Sequence, residues 1–264
     1  MGNGQTTIGF IGFGNMAQAM AQGLVEHGGV DGARITACAA HFDKLQRNAA
    51  RLGVNAARDA EAVAEASDMV VIAVKPHLVA EVVEPVRDAL ADKVVVSVAA
   101  GCYFDFYERL LAAGTHHLSI IPNTPIAVGA GIVSAEKRHS LTAEEYAQFE
   151  ALFSPIALIE PVDTKLMTEA MILAGCGPAF AAMFIEALGD AGVKYGLPRT
   201  TAYRLASQML AGTAQLQLDS GQHPGAMKDA VCSPGGTTIK GVASLERDGF
   251  RAAVIGAVDA IEQG

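Results

Sequence analysis

The chain is poor in charge. Charged residues make up 18% of its 264 positions and leave a net charge of −9. That balance excludes the basic footprint of a nucleic-acid or anionic-membrane partner. Sparse charge beside 51% hydrophobic residues also excludes disorder and supplies an ample core. Cysteine is scarce and scattered: Cys38, Cys102, Cys176 and Cys232 form no C-x-x-C pair. Neither a disulfide framework nor a zinc site is expected, and the expected compartment is the reducing cytoplasm. The seven histidines contain no H-E-x-x-H, and the adjacent His116 and His117 would face opposite sides of a strand, so no metal is expected. No basic n-region opens the chain and no apolar run reads as a membrane span, so neither a targeting segment nor a membrane partner is expected.

What is present begins at the N-terminus. Residues 7–11 form a short apolar run, followed by Gly12, Gly14 and Ala17 at the G-x-G-x-x-[G/A] spacing. Met16, Met20, Gly23 and Leu24 then recur at helical period. Strand, glycine turn and helix form the context in which this motif binds a dinucleotide. Gly12 permits the turn, Gly14 lets a pyrophosphate approach the backbone, and Ala17 lets the helix pack on the strand. The plain alternative is a sharp bend between strand and helix with no ligand.

Strands and helices then alternate to about residue 160, which predicts an α/β fold with a Rossmann-type doubly wound sheet. A second strand ends near Ala39, Ala40 and His41. An NAD site places an acid there for the ribose hydroxyl; Asp31 precedes the strand instead. No acid blocks a 2′-phosphate, and His41, Lys44 and Arg47 could attract one, so NADPH is expected in preference to NADH. Residues 69–74 are the most strand-like in the chain and run into Ala73, Val74, Lys75 and Pro76. Residues 79–90 read as a helix. Another buried strand, 94–98, ends at Ala99, Ala100 and Gly101, small enough to admit a nicotinamide ribose. Both ends fall at the carboxyl edge of the sheet, where ligands bind. Thr142 with Glu145 three residues on announces a capped helix.

From Asp163 the pattern is helical only, which divides the chain into a dinucleotide-binding domain (1–161) and an all-helical domain (162–264). Residues 174–179, all small apart from Pro178, are expected to interrupt the first helical run. Ser233, Gly235, Gly236, Thr237 and Thr238 precede a later helix and form a candidate nest for a carboxylate or phosphate. The same residues could merely supply a threonine N-cap. So many apolar helical faces in about a hundred residues predict dimerisation.

At this point the sequence resembles the pyrroline-5-carboxylate reductase family. The resemblance spans nearly the whole chain and rests on Gly9-Phe-Ile-Gly-Phe-Gly-Asn-Met16, Ala73-Val-Lys-Pro76, Ala99-Ala-Gly101, Pro122-Asn-Thr-Pro125, Gly175-Cys-Gly-Pro-Ala179 and Ser233-Pro-Gly-Gly-Thr-Thr-Ile239. It implies reduction of the cyclic imine 1-pyrroline-5-carboxylate to L-proline by NAD(P)H, the final step of proline biosynthesis. It maps nicotinamide-binding positions onto Lys75, Pro76 and Ala100; with the glycine turn and strand ends read above, cofactor contacts are expected at Gly12, Phe13, Gly14, Asn15, Met16, Ala39, His41, Ala73, Val74, Lys75, Pro76, Ala99, Ala100 and Gly101. Substrate would be held by Ser233, Gly235, Gly236, Thr237 and Thr238, with Thr238 as the catalytic hydroxyl. The assembly implied is a homodimer with interleaved C-terminal helices, often built into larger rings. The chain departs from the family at Ser119-Ile-Ile121 (often containing Arg), at Ala174 and Cys176 (often Ser) and near Ala60 (often Asn).

An iminium carbon accepts hydride without a metal, so the protein need only position the reactants and hydrogen-bond the nitrogen. The rival readings are a β-hydroxyacid dehydrogenase, for which Lys165, Lys194, Lys228 or Lys240 would serve as base, and a non-catalytic NADP sensor, which has no use for the second nest.

Overall fold

The computed structural model describes residues 6–263. It divides into two compact units, Met1–Pro178 and Ala179–Gly264.

The first unit is built on one sheet. Its strands are β1 (Ile8–Ile11), β2 (Ile35–Cys38), β3 (Asn55–Ala56), β4 (Met69–Ile72), β5 (Val94–Ser97), β6 (His116–Pro122), β7 (Gly131–Glu136) and β8 (Ala157–Val162). They lie in the order β3-β2-β1-β4-β5-β6-β7-β8. All neighbours are parallel except β6 and β7. The continuous apolar strands follow from this, because a parallel strand is covered on both faces. Met69 and Val71 of β4 join Ile8, Phe10, Val94 and Val96 in one core, while Val70 and Ile72 join Ile11 and Val95 in another. The first core is closed by Met20 and Leu24 of α1 (Asn15–Glu26) and the aromatics Phe149 and Phe153 of α6 (Ala143–Phe153). Helix α6 begins with the capping box that Thr142 and Glu145 announce. The second core takes Val63 of α3 (Ala60–Glu65), Val79 and Val83 of α4 (Val79–Val83) and Tyr107 of α5 (Phe104–Leu110). Helix α2 (Phe42–Ala50) joins β2 to β3. The sheet is therefore doubly wound, and its strand order reverses direction between β1 and β4.

Two expectations need correction. Residues 79–90 are not one helix: α4 ends at Val83 and passes into a 3-10 turn, Glu84–Val86. Pro85 is the cause, since it has no N–H to donate and its ring crowds the preceding turn. Nor do residues 174–179 break the chain's helical path. Helix α7 (Met167–Met171) widens into a π-helical turn, Ile172–Cys176, and continues as α8 (Gly177–Lys194). Pro178 explains the widening. It cannot donate to the carbonyl of Ala174 four residues back, and that carbonyl instead accepts the side-chain N–H of Asn123 at 3.0 Å. The stretch Thr164–Lys194 is also long and apolar enough, by length and composition, to cross a membrane, against the expectation of no such run.

The second unit contains the rest of α8, then α9 (Arg199–Ser220), α10 (Pro224–Ala230), α11 (Thr237–Arg247) and α12 (Phe250–Glu262). It has almost no interior. Of the 22 residues of α9 only Ala202 and Ala206 are buried, and α11 and α12 bury none. Met183, Leu205, Leu216, Leu218 and Ile255 are all more than half exposed. A helical unit of this size cannot be stable with its apolar faces in water, so another surface must cover them.

Candidate active site

The glycine turn between β1 and α1 uses its two glycines differently. Gly12 sits at φ +95°, where a side chain is strained, and an added Cβ would lie 2.7 Å from the Ala73 carbonyl oxygen. Its N–H donates to the Cys38 carbonyl at 3.0 Å, pinning the turn to the end of β2. Gly12 is demanded by the fold. Gly14 is not: its φ is −76°, and an added Cβ would meet nothing within 4 Å. The absence of a side chain there keeps open the space in front of α1. That helix has no side-chain cap, and its first intrahelical N–H bond is donated by Gln18. The N–H groups of Asn15, Met16 and Ala17 are left for an anion. These residues fit a dinucleotide pyrophosphate, by virtue of a cradle that a Cβ would fill.

The expected cofactor segments meet at one edge of the sheet. Ala73 N–H bonds the Ile11 carbonyl at 2.8 Å and Val98 N–H bonds the Ile72 carbonyl at 3.0 Å. Residues 12–16, 73–76 and 99–101 therefore leave three adjacent strands side by side. Phe13 points inward, packing edge-on to Phe10 at 6.0 Å, and only its backbone faces the turn. Lys75 is exposed and precedes a 3-10 turn, Pro76–Leu78. Gly101 has φ +83° and open space around it.

Beside the turn lies a cleft of about 690 Å³, lined by Gly12, Ala39, Ala40, Arg58, Val74 and Leu78 among others. Gly12, Ala39 and Val74 were expected there. His41, Lys44 and Arg47, the expected attractors of a 2′-phosphate, do not line it; Arg58 does. Asp31 accepts the N–H of Ala33 at 3.0 Å before β2 begins, far from the strand's carboxyl end, as its position implied. The Cys38 thiol is pushed up by burial.

Buried polar side chains hold the loop that follows β5. Glu136, 1% exposed, accepts the Phe104 N–H at 2.9 Å and the Thr164 hydroxyl at 2.6 Å. It thereby ties the loop after β5 to the segment before α7. Burial pushes the Tyr103 phenol up, partly offset by hydrogen bonds to the Gly101 backbone and the Thr168 side chain. Asn123, 4% exposed, accepts the Ile132 N–H at 2.8 Å while donating to Ala174. In the sequence Asn123 stands out only as part of the Pro122-Asn-Thr-Pro125 motif. Its work on the π-helical turn needs the tertiary fold to be seen.

In the second unit, Ser233 to Gly236 close a tight turn, with the Gly236 N–H donating to the Ser233 carbonyl at 3.0 Å. Pro234 and Gly235 hold its central positions, and Gly235 has the positive φ of +68° that a type II turn needs. Gly236, not a threonine, is the N-cap of α11, and no side chain caps it. The hydroxyls of Ser233, Thr237 and Thr238 are exposed and make no hydrogen bond to other described residues. The capping alternative is thereby removed, and an open N–H and hydroxyl nest remains. Among the described residues no group of three or more His, Cys, Asp or Glu could hold a metal. His116 and His117 pair instead with Glu145 at 2.8 Å and Glu108 at 2.9 Å, on opposite faces of β6.

Comparison with known proteins covers both units. Residues 164–263 match the family model for pyrroline-5-carboxylate reductase dimerisation, and residues 7–101 match that for NADP oxidoreductase, coenzyme F420-dependent. Pyrroline-5-carboxylate reductase of Treponema pallidum is 46% identical over 257 residues, covering 96% of this chain and 97% of that one. The Escherichia coli protein of the same name is 40% identical over 252 residues, covering 95% and 94%. Among solved structures, the Plasmodium falciparum pyrroline carboxylate reductase with NADP bound superposes with a TM-score of 0.84 at 28% identity, covering 97% and 95%. A Coxiella burnetii pyrroline-5-carboxylate reductase reaches the same TM-score of 0.84 at 31% identity, covering 97% and 95%.

Proposed function

We propose a division of labour within this chain on the premise that it belongs to the pyrroline-5-carboxylate reductase family. It is an NAD(P)H-dependent oxidoreductase that reduces the C=N bond of 1-pyrroline-5-carboxylate to give L-proline. Residues 1–161 hold the cofactor, and residues 162–264 hold the substrate and form the dimer. The single observation that carries the cofactor half is Gly14, a glycine that neither backbone geometry nor packing requires.

Gly12, Phe13, Gly14, Asn15 and Met16 offer backbone to the pyrophosphate. Ala39 borders the adenosine, and His41 lies beyond the lining of the cleft. Ala73, Val74, Lys75, Pro76, Ala99, Ala100 and Gly101 surround the nicotinamide ribose. When bound, NADPH supplies the hydride. Ser233, Gly235, Gly236 and Thr237 hold the substrate carboxylate, and Thr238 hydrogen-bonds the imine nitrogen, orienting its carbon. No strong base is required of the protein. The want of an acid at the carboxyl end of β2 supports NADPH over NADH. The uncovered faces of α8, α9 and α12 support a homodimer with interleaved helices, open to assembly into a ring of dimers. The four free cysteines support a cytoplasmic location.

The test is cofactor oxidation with 1-pyrroline-5-carboxylate, with a small β-keto acid and with NADH alongside. Turnover of the imine by NADPH, and not of the keto acid, is expected. Thr238→Ala should lose kcat by about a hundredfold, in the range of one removed positioning donor, while still binding NADPH. Unchanged turnover in that variant would remove Thr238 from the mechanism. A monomer by sedimentation equilibrium would remove the dimer.

A further inference from the structure

We infer that Arg58 is the residue with which this chain recognises the 2′-phosphate of its cofactor. The inference rests on the NADPH reading above and goes beyond it, because that reading drew its cations from His41, Lys44 and Arg47.

Arg58 follows the two-residue strand β3, which pairs with β2 at the outer edge of the sheet. The exits of β2 and β3 are therefore neighbours, and Arg58 lines the same cleft as Ala39, Ala40 and Gly12. Its guanidinium lies 3.8 Å above the ring of Phe42, the first residue of α2. That stack fixes the plane of the group and leaves its N–H donors free. No carboxylate stands within ion-pair distance of it among the described residues, although Asp59, Glu61 and Glu81 also line the cleft. The Asp59 carboxylate is occupied as N-cap of α3, accepting the Ala62 N–H at 2.9 Å. Three carboxylates make the wall repel a dianion, and among the described residues Arg58 is the only cation lining it. A planar, unpaired guanidinium is the group that binds phosphate with two parallel hydrogen bonds. Ala39 and Ala40 add little bulk to the same lining.

The probes are adenosine 2′,5′-bisphosphate and AMP, titrated by calorimetry into the intact protein, with kcat/KM for NADPH and NADH measured in parallel. The wild type should favour the bisphosphate over AMP. Arg58→Ala should cut that preference, and the NADPH to NADH ratio, by about ten- to a hundredfold, the worth of a charge-assisted bond. Arg58→Lys should restore part of both. Equal losses for bisphosphate and AMP would overturn the inference in favour of adenine stacking, and an unchanged preference would overturn it outright. A wild type that binds both probes alike, yet turns over the imine with NADH, would instead overturn the cofactor preference and leave the reductase reading standing.

Discussion

The two glycines of the β1–α1 turn allow a paired test in which stability and ligand binding should separate. In Gly12→Ala, a side chain is forced onto φ +95° and its Cβ onto the Ala73 carbonyl, 2.7 Å away. The Ala73 backbone cannot easily yield, because its own N–H bonds Ile11 at 2.8 Å. Strained backbone of this kind costs about 1–3 kcal/mol. At about 2–4 °C per kcal/mol for a chain of this size, a cost of about 2 kcal/mol lowers the melting temperature by roughly 4–8 °C. In Gly14→Ala, φ is −76° and the new methyl meets nothing within 4 Å. Stability should stay within about 0.5 kcal/mol of wild type. The methyl would stand where the pyrophosphate approaches the helix N-terminus. Losing one charge-assisted bond there costs about 1.5–3 kcal/mol, or at least about tenfold in affinity. Thermal unfolding without cofactor and a fluorescence titration with NADPH read the two quantities. A Gly14→Ala protein that binds NADPH like wild type would refute the cradle. One that melts like Gly12→Ala would show that Gly14 serves packing after all.

Two further predictions concern the scaffold. Asn123→Ala leaves the Ala174 carbonyl and the Ile132 N–H without their partner. At about 1–3 kcal/mol for each buried group left unpaired, the variant should melt several degrees lower, most visibly by hydrogen exchange around the π-helical turn; unchanged exchange there would sink the assignment. Asp68 supplies a pH dependence. Burial alone would raise its pKa, but the N–H and hydroxyl of Thr7, both donating to one carboxylate oxygen at 2.8 and 2.7 Å, together with the positive charges of Lys93 and Arg34, outweigh burial and lower it. A lowered folded pKa means that the unfolded chain binds the proton first. The stabilisation is thus full above about pH 4, the ordinary aspartate value, and fades as pH falls from there through the folded pKa. Asp68→Asn should flatten that part of the melting-temperature profile, and an identical acid limb in wild type and variant would refute the link.

The parallel sheet was legible because its strands carry their own signal. Residues 69–72 and 94–97 are continuous β-rich runs, and only burial on both faces accommodates them. The glycine turn was legible because spacing and context are local. What escaped the sequence was whatever needs two distant segments. Arg58 looks like any polar loop residue until β3 is seen to pair with β2. The π-helical turn looked like a break because small residues and Pro178 usually end helices; the carbonyl that Pro178 strands is rescued by Asn123, fifty-one positions away. The nest at residues 233–238 was half legible. Its composition allowed a cap or an anion site; Gly236 standing as N-cap sets the threonine cap aside, and the anion site stays a proposal.

The bare second unit carries a consequence for how the protein endures dilution. With two alanines buried along α9 and none of α11 or α12 inside, folding and association of that unit are expected to form one equilibrium. Its thermal midpoint must then climb with protein concentration, as it does whenever the folded form is the only one that binds its partner. For such a chain, the supply of sister subunits is itself a component of the native state.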